Sequence, residues 1–179
     1  MICAMLKFLL KPLSAMSLPT VHRLGKTLGN IMYVLMPQAV NLIKDNLEQS
    51  KLLPHEDPKY ITKLNMQENG KALLESLAIW QKPEQEVIKW VKACSNWDLI
   101  ETAINKKKGI IFLTPHMGCF EITSKFYGSQ YPITVLFRKP KMRWLQALTT
   151  TGRSNTQIHL APANIKGVRS LMKALQRGE

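Results

Sequence analysis

From about Thr20 to Trp97 the apolar residues recur at helical spacing, as in Leu64, Leu73, Leu74, Leu77 and Ala78 ahead of Trp80. Pro54, Pro58 and Pro83 divide this half into successive helices. Ser95-Asn96-Trp97-Asp98 has the form of a capping box. It opens a short helix through Leu99, Ile100 and Ile104 that stops at the Lys106-Lys107-Lys108-Gly109 turn. After Gly109 the texture changes: the β-branched and aromatic run Ile110-Ile111-Phe112-Leu113-Thr114 reads as a buried strand. A helix over 118 to 129, a strand over 132 to 137, a helix over 141 to 151, a strand over 156 to 160 and a helix over 164 to 177 follow. The expected fold class is α/β, a helical N-terminal part followed by β-α-β-α-β-α with a largely parallel sheet. The pattern stops one residue past the cap at Gly178, where another strand is due, so the sheet is expected to be incomplete with an uncovered edge.

Composition adds a core and a charge. With 45% hydrophobic residues over 179 positions the chain can bury an interior, and its length suggests one folding unit rather than several. Its 25 Lys and Arg against 12 Asp and Glu give +13, which implies a partner carrying negative charge. The distribution is uneven. No acid precedes Asp45, and Lys7, Lys11, Arg23, Lys26 and Lys44 stand among apolar residues such as Ile31-Met32-Tyr33-Val34-Leu35-Met36. Residues 1–40 are therefore expected as a helical anchor at an anionic membrane interface, and 41–179 as the main domain. Ordinary core helices with an exposed basic face fit the composition equally well. Lys7 and Lys11 interrupt and follow the first apolar run, unlike an export signal, and with Pro12, His22, Arg23 and Lys26 they cut up any membrane span. From Ile122 to Gly178 there is no acid at all but ten cations, from Lys125 to Arg177. Cys3, Cys94 and Cys119 have neither metal-site nor disulfide spacing, and His22, His55 and His159 show no metal pattern, so no metal and no cofactor is expected.

The densest chemistry is Thr114-Pro115-His116-Met117-Gly118-Cys119-Phe120-Glu121, between a predicted strand and a predicted helix, where α/β sheets place their sites. Residues five apart on one helix diverge, so His116 and Glu121 can cooperate only if His116 sits in the turn. Glu121 could then fix the imidazole tautomer and leave the other nitrogen to take a proton from an alcohol. Gly118 would let the backbone approach closely, and nearby amides could hold an oxyanion. The same residues also fit a plainer reading, in which His116 caps a helix and Glu121 favours its dipole. Cys119, near a helix start, is a further candidate nucleophile, or a small thiol filling space. Trp80, Trp90, Trp97 and Trp144 read as core or interfacial anchors.

These residues also carry a resemblance. Gly109–Glu121 resembles the segment bearing the His-x4-Asp/Glu motif of the lipid A biosynthesis lauroyl/myristoyl acyltransferases, within the glycerolipid acyltransferase-like superfamily. Thr134–Lys141 is similar to that family's Tyr-Arg-Pro-Pro-Lys-like block, and Gly152-Arg153, Leu160–Ala163 and Lys166–Glu179 match further blocks in order. Cys119-Phe120 stands where the family commonly has Asn-Trp, and the family continues beyond the Arg177-Gly178-Glu179 position. The resemblance implies an acyltransferase with His116 as base and Glu121 as its partner, and with Gly118, Arg138, Arg153 and Arg169 binding substrate. It implies acyl carrier protein as donor, a hydroxyl of a phosphorylated lipid A precursor as acceptor, and a place on the cytoplasmic face of the inner membrane. Two other outcomes stay open: a related acyltransferase with another lipid acceptor, and a non-catalytic basic fragment that binds membrane. Nucleic acid is disfavoured, because few base-stacking aromatics accompany the cations after Glu121.

Overall fold

The computed structural model describes residues 10–51, 55, 57–115, 117–153 and 157–179, apart from the side chains of Arg143 and Trp144. The N-terminal apolar run up to residue 9 lies outside them. Helical residues 10–15 (α1) are followed by α2 (Leu18–Leu35), α3 (Pro37–Ser50), α4 (Pro58–Ile79), α5 (Glu84–Ile88) and α6 (Trp97–Asn105). Then come α7 (Glu121–Gly128), β1 (Ile133–Phe137), α8 (Arg143–Arg153), β2 (Ile158–Pro162) and α9 (Ile165–Gln176). The described chain is thus mostly helical, with a small parallel sheet, and falls broadly in the α/β class. It forms two compact units, Ala15–Ala78 and Ile79–Glu179, the second joined by the described residues up to Ser14.

The all-helical unit rests on glycine. Proline at the start of α2 and of α3 suits the first helical turn, where no amide partner is lost. Val21, Gly25 and Gly29 are the buried positions of α2 and recur every four residues, which sets one stripe of that helix against α4. A Cβ on Gly25 would stand 2.5 Å from the Lys71 Cα, and one on Gly70 would stand 2.6 Å from the Gly29 nitrogen. Backbone thus meets backbone. Two polar pairs fix the register beside this seam: His22 Nε2 with Glu75 Oε1 at 2.7 Å, and Gln67 Nε2 donating to Asn30 Oδ1 at 2.8 Å.

In the other unit β1 and β2 pair in parallel, Ile133 opposite Ile158 and Phe137 opposite Pro162, with α8 as the crossover. Helix α9 covers the pair. Its buried Gly167 lies so close to Pro162 that a Cβ would overlap the carbonyl oxygen, and Gly128 of α7 is packed likewise on Ile158. Asn164 caps α9 by accepting hydrogen bonds from the amides of Lys166 (3.0 Å) and Gly167 (3.3 Å). Trp97 stands edge-on to Phe126 with centroids 5.4 Å apart and stacks over Tyr131, tying α6 to α7.

Three expectations need correction. Ile110–Thr114 is not a strand. Its Ile110 amide donates to the Glu179 carbonyl at 3.0 Å, but it shares a cavity with β1 instead of a ladder, and an extended run without a ladder is not a strand. It is also not buried, since Ile111 and Leu113 are 71% and 91% exposed, while Phe112 holds it to α7 through Tyr127. The β-α-β-α-β-α order is therefore reduced to β-α-β-α among the described residues. Finally, Ser95 does not cap α6: Asn96 occupies the cap with left-handed backbone, and its side chain makes no capping bond.

Alanine in place of glycine inside a helix normally gains about 1 kcal/mol. Gly29→Ala is expected to do the reverse and cost about 1–3 kcal/mol, because only backbone atoms of α4 stand in the way. Urea denaturation of the variant against wild type checks the sign.

Candidate functional site

Glu121 is the first residue of α7, a position where the helix dipole favours a carboxylate, yet it is 4% exposed. A buried carboxylate must be paired and hydrogen-bonded to be tolerated. Arg153, the last residue of α8, supplies most of this. Its Nε donates to Oε2 at 2.8 Å and to Oε1 at 3.1 Å, and its Nη2 donates to Oε1. The indole of Trp80, just past α4, donates to Oε2 at 2.9 Å. Both carboxylate oxygens are thus held by donors from outside α7.

Arg153 is enclosed in turn. Its guanidinium carbon lies 5.1 Å from the Phe137 ring centre, 5.6 Å from Trp80 and 6.0 Å from Phe120. Aromatic faces attract a cation, and a weakly hydrated guanidinium suits such a setting better than an ammonium. Gly152 makes the geometry attainable, since a Cβ there would overlap Trp80. One turn beyond Glu121 on α7, Lys125 is also buried. Burial pushes its ammonium below the ordinary lysine value, and the charges of Glu84 and Glu121 partly oppose that shift.

A cavity of about 340 Å³ opens beside the Glu121–Arg153 pair. Ile110, Phe112, Ile133, Val135, Leu160 and Leu175 give it mainly apolar walls, and Thr114, Thr123 and Ser124 add hydroxyls. Its size and make-up suit a largely apolar ligand with a few oriented polar contacts. Burial pushes the Tyr127 phenol on the same wall above its ordinary value, so it stays a neutral hydrogen-bonding group at neutral pH.

The structure brings Glu121 and Arg153 together and leaves Arg138 and Arg169 away from them. His116 lies outside the described residues. Gly118 has φ +58° and open space around it, so its conformation suits glycine for its dihedral rather than for crowding. Arg138, one residue past β1, and Arg169, on α9, are exposed and do not line the cavity. Trp80 was read from sequence only as an anchor. The signal that could have found its role is general: a buried indole needs an acceptor for its N–H.

Residues 2–179 match the family model described as bacterial lipid A biosynthesis acyltransferase. A search of curated proteins returned no match.

Removing one partner of a buried ion pair strands the other charge, at a cost of about 3–5 kcal/mol. Arg153→Met should show a loss of that order in urea denaturation, and Arg153→Lys should recover only part, because one ammonium cannot fork across both oxygens. Adding Glu121→Leu to Arg153→Met should restore much of the stability; if it does not, the pair is not what holds this region.

Proposed function

Because the chain belongs to the bacterial lipid A biosynthesis acyltransferase family, we propose that it moves a fatty acyl chain from acyl carrier protein to a hydroxyl of a lipid A precursor at the inner membrane. The observation that carries this reading is the apolar cavity with the Glu121 carboxylate on its wall, an arrangement that suits an acyl chain whose reacting end lies beside a polar centre. In it His116 takes the proton of the acceptor hydroxyl as the oxygen attacks the thioester carbonyl. The carrier thiolate then leaves and takes up a proton as the new ester forms. Glu121, positioned by Arg153 and Trp80, orients the imidazole and stabilises its charged form. Gly118 and the neighbouring amides face the oxyanion, and Arg138 and Arg169 meet phosphate or carrier acids.

The exposed apolar residues of the helical unit support a membrane-surface location for the segment 1–40. Ile31, Val34 and Leu35 are 49%, 73% and 72% exposed, with Arg23 and Lys26 on the same helix. No helix among the described residues is long and apolar enough to cross a membrane, so the attachment proposed is interfacial.

In an acyl-transfer assay His116→Ala should lower the rate about 10²–10⁴-fold. Glu121→Gln, which keeps the shape but not the charge, should lower it most of the way. A His116→Ala protein within a few-fold of wild type would rule out the proposed base. Sedimentation with anionic vesicles should persist in part at high salt, because apolar insertion is not screened, and Ile31→Ser/Val34→Ser/Leu35→Ser, at exposed positions away from the glycine seam, should release much of the protein.

A further inference from the structure

Helix α9 has two faces, and the sheet accounts for one. Gly167 and Ala174 are buried against the unit, with Leu171 half-buried between them. At about 100° per residue, Ile165, Val168 and Met172 fall on one stripe beside that buried face, and Lys166, Arg169 and Lys173 form a second stripe next to it. The apolar three are 65%, 42% and 57% exposed, and the cations are exposed as well. Among the described residues none of these cations is ion-paired. The apolar spacing of i, i+3 and i+7 covers about two turns, roughly 10 Å. That is the pattern by which one helix anchors to another.

The position of α9 ties this face to the site. Its capped N-terminus adjoins the C-terminal ends of both strands: the Ala163 amide donates to the Phe137 carbonyl at 3.2 Å, and Gly167 rests on Pro162. Phe137 is the residue whose ring faces Arg153 at 5.1 Å. A partner seated on the first turns of α9 therefore stands close to the Glu121–Arg153 centre.

We propose that the outer face of α9 is the docking surface for an acidic helical protein, through an apolar stripe of Ile165, Val168 and Met172 flanked by Lys166, Arg169 and Lys173. The inference rests on the transfer reading above and makes this partner the carrier that presents the acyl chain. Charge complementarity selects an acidic occupant, since no Asp or Glu occurs between Ile122 and Gly178. The narrow stripe with cations along one side, and the absence of Trp, Tyr or Phe from α9, favour a protein helix over a lipid surface, which calls for a broader apolar face and interfacial aromatics.

The test measures the Kd of purified holo acyl carrier protein by fluorescence anisotropy, alongside binding to vesicles of phosphatidylglycerol and phosphatidylcholine. Lys166→Glu/Arg169→Glu/Lys173→Glu should weaken carrier binding at least about tenfold. A charge-matched control with Lys59→Glu, Lys63→Glu and Lys92→Glu should stay within about twofold, since those cations are exposed elsewhere. Val168→Ser/Met172→Ser should weaken carrier binding several-fold while leaving its salt dependence unchanged, which separates apolar contact from charge, and circular dichroism confirms that each variant is folded. If the α9 reversal costs no more than the control, or lowers vesicle binding while carrier binding holds, the proposed surface is wrong and transfer from a carrier is untouched. If wild type neither binds the carrier nor accepts acyl groups from it, the donor assignment and this surface fall together.

Discussion

A carboxylate taken out of water sets the terms for the second unit of this protein. Glu121 is buried at the start of a helix, and its charge is compensated by a guanidinium and an indole brought in from other elements. The partners lie 41 and 32 residues away along the chain, so the charge can be enclosed only after Trp80, α7 and α8 have come together. Glu121 thus organises the fold around itself as well as any chemistry it performs. Aromatic rings complete the arrangement by excluding water from Arg153 on several sides, which strengthens the attraction between the two charges.

The other unit solves a different problem with less chemistry. Gly25, Gly29 and Gly70 let two helices touch through their backbones, and dispersion over that contact replaces the larger side chains a looser crossing would need. The outward residues of α2, including Val34 and Leu35, take no part in this seam. Their exposure is what the local pattern leaves over once the glycine stripe has been spent on packing.

Much of this was legible in the sequence where local rules decide. The helices of the first half, the pair of later strands and α9 follow from periodicity and from Gly and Pro punctuation, and α9 stops at Gln176, just ahead of the left-handed Gly178 that closes its last turn. Ile110–Thr114 was not legible, because β-branched composition describes what a segment can do and not whether a neighbour offers it a ladder. The capping box failed for a related reason: Asn96 takes a left-handed backbone that asparagine tolerates, which moves the cap by one residue. At the site, Glu121 and Arg153 could be named from spacing and resemblance. That they grip each other, with Trp80, is a long-range fact that no local pattern encodes.

The ends of α6 and α9 bear on what the basic excess is for. At α6 the Lys108 amide reaches Ala103 O at 3.0 Å and the Lys107 amide reaches Ile104 O at 2.8 Å, with Lys107 at φ +52°. At α9 the Glu179 and Gly178 amides close the same pair of bonds onto Ala174 and Leu175, with Gly178 at φ +81°. The two turns abut, since a Cβ on Gly178 would lie 3.1 Å from the Lys107 carbonyl. Two negative helix poles therefore face one another, a repulsive arrangement unless positive charge gathers there. Lys106, Lys107 and Lys108 supply it, whereas Arg177 is engaged by Glu179, its Nε donating to Oε1 at 2.6 Å. Part of the surplus that composition alone assigns to recruiting an anion is thus counter-charge for the protein's own backbone, and the cations free to meet a partner are fewer and more localised than the total suggests.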